Sequence, residues 1–307
     1  MINEKNPFLT EYPTPHHTTP FHLIEPEHYE PAIMEGMAEQ NKEIEAITNN
    51  PETPNFENTI VALEKSGASL NRVTTVLGNQ LSAHTSDELQ AIAEKMMPLL
   101  TEHSNNITLN EALFTRIKSI YNRPQKTVLS SEENMLLEQT YRSFIRSGAN
   151  LPEEDKEEFR KTATELSLNS LKFSQNLLKE TNAYELHLEE KQLEGLPESI
   201  KTSYAQTAKE KGKEGFIVTL QAPSYVPFMK YCKDRSLRKE LYMAYNTQCT
   251  HDNEYNNMEI VRTLINLRLK RAQLLGFSTV AEYTLKERMA ENSDNVYRLI
   301  NQLLEAY

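Results

Sequence analysis

The chain has 307 residues, enough for one large or two ordinary domains around a sizeable core. Only 8 residues are Gly and none is Trp, while Glu, Leu, Lys, Ala and Gln are plentiful, a mix that favours helices over tight β-turns and argues against an all-β fold. The formal charge, 33 − 44 = −11, contains no block of Lys and Arg, so a nucleic-acid backbone finds no electrostatic anchor, and no stretch approaches the ~20 apolar residues of a membrane span.

In chain order, residues 1–25 predict an extended arm, with Pro7, Pro13, Pro15 and Pro20 spaced through it and His16 and His17 between. No apolar h-region opens the chain, which assigns it to the cytoplasm, although a removed signal peptide would leave the same appearance. Adjacent histidines can bind metal, but no third ligand stands near His16 and His17. Pro26 breaks the helix that would align His22, Glu25 and His28, so these are read as solvated side chains.

A helical region is expected over 26–121. Tyr29, Ile33, Met37 and Ile44 form a first stripe. After Thr53 and Pro54, Phe56, Ile60, Leu63, Gly67, Leu70, Thr74, Leu77 and Leu81 recur in steps of four and three, predicting one long packed helix. Thr85 with Glu88, and later Ser130 with Glu133, have capping-box spacing. Helices through Met96 and Ile117 lie between them, the first kinked or ended near Pro98, and His103 falls on an apolar stripe as a packed core residue.

Residues 122–131, with Pro124 and little apolar content, form a loop or boundary, and 132–307 make a second helical region. Its first helix ends at Gly148. The next starts after Pro152 and carries Phe159, Ala163, Leu166, Ser170, Phe173 and Leu177 as a heptad-like seam. The acidic run from Glu153 to Glu158 complements the helix dipole and needs no catalytic role. Tyr184, Leu186 and Leu188 alternate with polar neighbours, and Phe216 to Leu220 is a β-prone run; with a helix from Glu198 to Lys209 between them, they predict a small β element near 184–221. Helices resume around Asp234 to Thr247. Cys232 and Cys249 form no C-x-x-C and are expected as reduced, packed thiols. The fold class is mainly α.

Met258, Val261, Leu264, Ile265, Ala272 and Leu275 predict a helix closed by Gly276. A last helix starts near Ser293, with Val296, Leu299, Ile300, Leu303 and Tyr307 on one face and no stop signal, so the chain is expected to continue past Tyr307. Arg268 lies angularly between Val261 and Leu275. Two accounts fit it: a structural ion pair with a carboxylate of another helix, the favoured one, or an Arg facing an interior channel.

The run Leu264 to Tyr283, LINLRLKRAQLLGFSTVAEY, resembles a signature of the thimet oligopeptidase family of zinc metallopeptidases, an L-R-x-x-x-A-x-L-L-G-[FY] helix followed by an alanine-tyrosine step. Asn6 to Leu9 (NPFL), Pro54 to Gly67 (PNFENTIVALEKSG) and Phe144 to Leu151 (FIRSGANL) resemble the bacterial peptidyl-dipeptidase branch, also called dipeptidyl carboxypeptidase. The resemblance implies a mostly helical ellipsoid split by a deep channel, with a zinc at its floor, that releases C-terminal dipeptides from short peptides. There an H-E-x-x-H helix supplies two zinc ligands and a glutamate base, and a later glutamate supplies the third ligand. The histidines here, His16, His17, His22, His28, His84, His103, His187 and His251, include no H-E-x-x-H, so no catalytic or metal residue carries over. The expectation is therefore a non-catalytic N-terminal half that forms part of the channel wall. Its partners would be short peptides and the C-terminal catalytic half of the same chain, which would bring the zinc. The rivals are an autonomous α-helical scaffold that binds a partner without chemistry, and a degenerate family member.

Overall fold

Asn6 is wholly buried, its side chain accepting from Phe8 N and donating to His28 O at 2.8 Å, and this closes the start of the chain onto the first helix. The computed structural model describes residues 6–123 and 129–306. Contacts group the chain into two units, 1–168 with 266–307, and 169–265. Residues 122–131, the boundary offered by the sequence, belong to the first, and 124–128 lie outside the described residues.

In the first unit the arm is not extended throughout. From Asn6 it turns through short 3-10 segments at Pro7–Leu9, Pro15–His17 and Phe21–Leu23, and it buries Phe8, Tyr12 and Ile24. Burial of two aromatic rings outweighs the freedom of a solvated arm. Arg72 reinforces the docking by donating to Thr10 O at 3.1 Å and lying over the Tyr12 ring. The rings pack against α1 (Tyr29–Thr48), where Tyr29, Ile33 and Met37 face Leu70, Val73 and Leu77.

The long helix expected after Pro54 is interrupted. A π-helical turn at Phe56–Val61 leads into α2 (Ala62–Lys65), Ser66 is extended, and Gly67 has φ +72 before α3 (Ala68–Ala83). The apolar steps of four and three continue through the break, so periodicity alone could not expose it. What breaks the helix is tertiary. Gly67 N–H donates to Glu43 Oε2 at 2.7 Å, and a Cβ at Gly67 would overlap the Gln40 amide. α3 then lies so close to α1 that a Cβ on Gly36 would stand 2.9 Å from Leu70 Cα.

α4 (Asp87–Thr108) does not end at Pro98 but continues past it, and its cap is Ser86, accepting from Leu89 N, rather than Thr85. α5 (Glu111–Tyr121) and α6 (Ser131–Arg146) build a second core, where Leu113, Phe114 and Ile117 meet Ile47, Ile60, Leu137 and Phe144. The Ser130–Glu133 capping box closes in both directions, at 2.6 and 3.2 Å. Arg116 is buried in this region and has no carboxylate partner among the described residues. Its guanidinium instead donates to Asn50 O at 2.9 Å, Asn58 Oδ1 at 3.3 Å and Thr59 Oγ1 at 3.3 Å. Arg116→Met should therefore remove three hydrogen bonds, to one buried and two half-buried acceptors, and lower stability by about 1–3 kcal/mol in urea unfolding.

The helix after Pro152, α7 (Glu153–Ala183), passes from the first unit into the second. Its predicted seam is buried at Phe159 and Leu166, but Ser170 and Leu177 are exposed. In the second unit β1 (Leu186–Leu188) pairs antiparallel with β2 (Phe216–Val218), Leu186 opposite Val218 and Leu188 opposite Phe216. α8 (Glu198–Glu210) connects them. Beyond them α9 (Ala222–Tyr231), which the sequence did not announce because Pro223 and Pro227 interrupt it, precedes α10 (Arg235–Asn246). Leu186, Leu188, Tyr204, Val218, Phe228 and Leu241 form its core with Cys232, and both cysteines are buried and unpaired.

Beside the sheet, Glu185 accepts from Lys211 Nζ at 2.7 Å and Lys213 Nζ at 2.6 Å, with His187 Nε2 3.0 Å away. The two lysine hydrogen bonds pull its carboxyl down from an ordinary 4.5 to about 2. A depressed pKa stabilises the fold above the unfolded value and ceases to do so as pH falls through the folded one. The melting temperature should accordingly fall between about pH 4.5 and pH 2, and Glu185→Gln should flatten that part of the pH profile.

Candidate functional site

Two of the four family-like stretches meet in the first unit. Arg146, in FIRSGANL at the end of α6, places its guanidinium 4.0 Å from the centre of the Tyr283 ring and donates to Tyr283 O at 3.0 Å. Arg271 stands 5.6 Å from that ring, and Phe277 meets its edge at 5.3 Å. Arg142, also on α6, spans Glu138 and Glu287, the latter at 3.1 Å. Together these contacts hold α12 (Val280–Leu285) to α6. A planar cation can satisfy a ring face and a carbonyl at once, so the arrangement is structural, and it leaves no acid–base pair poised for chemistry.

α11 (Met258–Leu274) ends at Gly276, φ +82, as the spacing predicts, but it buries only part of the expected stripe. Leu264, Leu267 and Ala272 are buried, whereas Met258, Ile265 and Leu269 are 44%, 58% and 37% exposed. Arg268 is exposed with them and has no carboxylate partner among the described residues. The ion pair favoured for Arg268 is not formed among the described residues. Arg268 lies one turn from each of the buried Leu264 and Ala272, so its exposure comes from a long side chain that carries the guanidinium out to water from the covered stripe.

The last helix, α13 (Ser293–Ala306), begins where expected and has no buried residue. Val296 is half-buried, and Leu299, Ile300 and Leu303 are 58%, 43% and 50% exposed, along with Tyr297 and Leu304. Tyr307, the last member of the predicted stripe, lies outside the described residues.

Of the histidines, His103 is packed in α4, with Nε2 2.7 Å from Gln40 Oε1, and burial lowers its pKa. His16, His17, His22, His84, His187 and His251 are exposed, and His28 Nδ1 accepts from Glu25 N at 2.9 Å. Among the described residues no three His, Cys, Asp or Glu side chains are gathered to hold a metal, so the residues present do not fit the zinc that the resemblance implies. No described helix is long and apolar enough to cross a membrane.

A profile described as Peptidase family M3 matches residues 228–307. The chain is 33% identical over 303 residues to the dipeptidyl carboxypeptidase of Escherichia coli (strain K12), which covers 98% of this chain and 44% of that protein. This chain is a relative of the family M3 peptidases. The dipeptidyl carboxypeptidase of Salmonella typhimurium is 35% identical over 288 residues, covering 93% of this chain and 42% of its own length, and oligopeptidase A of Haemophilus influenzae is 32% identical over 309 residues, covering 99% and 45%. The chain therefore spans less than half the length of these M3 relatives, and the family profile itself begins at α9.

The position of Arg268 has a direct consequence for stability. Since it is exposed and unpaired, Arg268→Leu should change unfolding free energy by no more than about 0.5 kcal/mol, the range of a surface substitution, whereas loss of a buried pair would cost about 3–5 kcal/mol. Chemical denaturation of the two proteins separates these values.

Proposed function

We propose that this chain is the non-catalytic N-terminal part of a zinc metallopeptidase that hydrolyses short peptides and releases C-terminal dipeptides. The observation that carries the reading is similarity along almost the whole chain to dipeptidyl carboxypeptidases and oligopeptidases A at 32–35% identity, while the chain spans only 42–45% of each. In this reading the zinc and its glutamate base belong to the remaining part, because the histidines of this chain include no H-E-x-x-H. The open faces of α11 and α13 support a complementary region that covers them, since apolar stripes of that extent are rarely left in water. Arg268, exposed and unpaired on α11, is our candidate for a channel-facing cation. We assign the assembly to the cytoplasm, where reduced cysteines such as Cys232 and Cys249 persist.

The rival is a helical scaffold that binds a partner without catalysis. Uncovered apolar faces also suit it, but a scaffold has no reason to resemble peptidases along its length. The test is to supply the chain with the region that the E. coli dipeptidyl carboxypeptidase has and this chain does not match. Alone, the chain should retain no stoichiometric zinc after dialysis and leave short peptides with free C-termini uncut. Combined, it should cut them, and amide exchange in 293–306 should slow. One tightly held zinc in the chain alone, or a combined protein that protects α13 yet leaves all peptides intact, would favour another reading.

A further inference from the structure

The clasp between α6 and α12 also walls a cleft of about 290 Å³ in the first unit, and the reading above gives that cleft no task. The α6 side lines it with two adjacent rows. Gln139, Ser143 and Ser147 follow one another at steps of four, and Arg142 and Arg146 stand beside them at the same step. Tyr283 and Glu287 complete the lining.

The two arginines are not equivalent. Arg142 is neutralised, with Glu138 on one side and Glu287 at 3.1 Å on the other. Arg146 has no carboxylate within ion-pair distance among the described residues; it donates to Tyr283 O and stands over the Tyr283 ring. A guanidinium carries several N–H groups, so most of its fork is uncommitted. The last carbonyls of α6 do not claim it either, because the N–H groups of Ser147, Gly148 and Ala149 already donate to Ser143 O, Ile145 O and Phe144 O. The hydroxyls of Ser143 and Ser147 make no hydrogen bond among the described residues.

These groups decide the charge and shape of a ligand. A cation is disfavoured, since Arg142, Arg146 and Arg271, the last 5.6 Å from the same ring, outnumber Glu138 and Glu287. An apolar ligand finds no aliphatic wall, and Arg146 already covers the Tyr283 ring. Repulsion from a chain of net charge −11 is screened beyond about 10 Å, so the arginines inside the cleft outweigh it. A planar carboxylate would engage the guanidinium fork alone. A tetrahedral oxyanion presents further oxygens out of that plane, where two hydroxyls one helical turn apart can donate to them.

We propose that this cleft binds inorganic phosphate, with Arg146 as its cation and Ser143 and Ser147 as hydroxyl donors, and that Glu287 borders it as a like charge that holds the affinity down. The site lies within residues 139–147 and 283–287, does not depend on the peptidase reading, and is tested by binding without turnover.

Phosphate is titrated into the full chain with isotope-labelled arginine side chains, chloride holding the ionic strength constant, and acetate serves as the planar comparison. A saturable shift of the Arg146 Nε–H signal is expected with phosphate and a much weaker one with acetate. Ser143→Asp, at an exposed position, places a carboxylate in the cleft and should abolish binding without lowering the melting temperature. Glu287→Gln removes the like charge and should tighten binding about tenfold. Arg146 shifts that grow without saturating, that acetate reproduces, or that persist in Ser143→Asp would overturn the proposal, as would unchanged or weaker affinity in Glu287→Gln.

Discussion

Arg116 joins parts of the first unit that helical periodicity leaves separate. The end of α1, the π-helical turn at 56–61 and α5 approach one another at backbone that is not regular helix, and such joints leave carbonyls and amide oxygens without partners. One guanidinium satisfies Asn50 O, Asn58 Oδ1 and Thr59 Oγ1 together. Around it Ile47, Ile60, Leu113 and Ile117 close the second core. A lysine could not replace it, because a single ammonium lacks the planar fork that reaches three acceptors in different directions. Arg72 and Arg146 repeat the principle at the arm and at α12, each donating to a main-chain carbonyl and covering a tyrosine ring.

These clamps account for a fold that is well satisfied on one side and open on others. The first unit holds two apolar cores and the second unit one, yet α11 and α13 expose leucines, isoleucines and a methionine. Covering each such side chain would contribute about 1.5–3 kcal/mol, so a complementary surface would gain much from docking there. Arg268 is exposed although it stands one turn from both Leu264 and Ala272, which are buried, so its guanidinium lies at the edge of the covered stripe.

The four stretches that resemble peptidases were legible as a family signature, but their sequence carried no indication of what they do physically. Asn6 closes the arm onto α1, Asn55 and Asn58 cap the π-helical turn, and Arg146 clasps Tyr283 from the other end of the chain. The roles of Asn6 and Arg146 cannot be inferred from spacing, because each depends on a partner distant in sequence, whereas the Asn55–Asn58 box is local.

Local chemistry determined the mainly helical class, the two short strands, the Ser130–Glu133 cap, the glycine stop at 276 and the start of α13, since each rests on preferences within a few residues. The tertiary structure decided the rest. It divided the expected long helix at Ser66 and Gly67 through Glu43 and Gln40, carried α4 through Pro98, docked the arm by Phe8 and Tyr12, and chose which side of α11 to bury. Helical periodicity shows which faces are apolar, but whether a face is covered depends on distant parts of the chain packing there, and so Ile265 and Leu269 lie in the open.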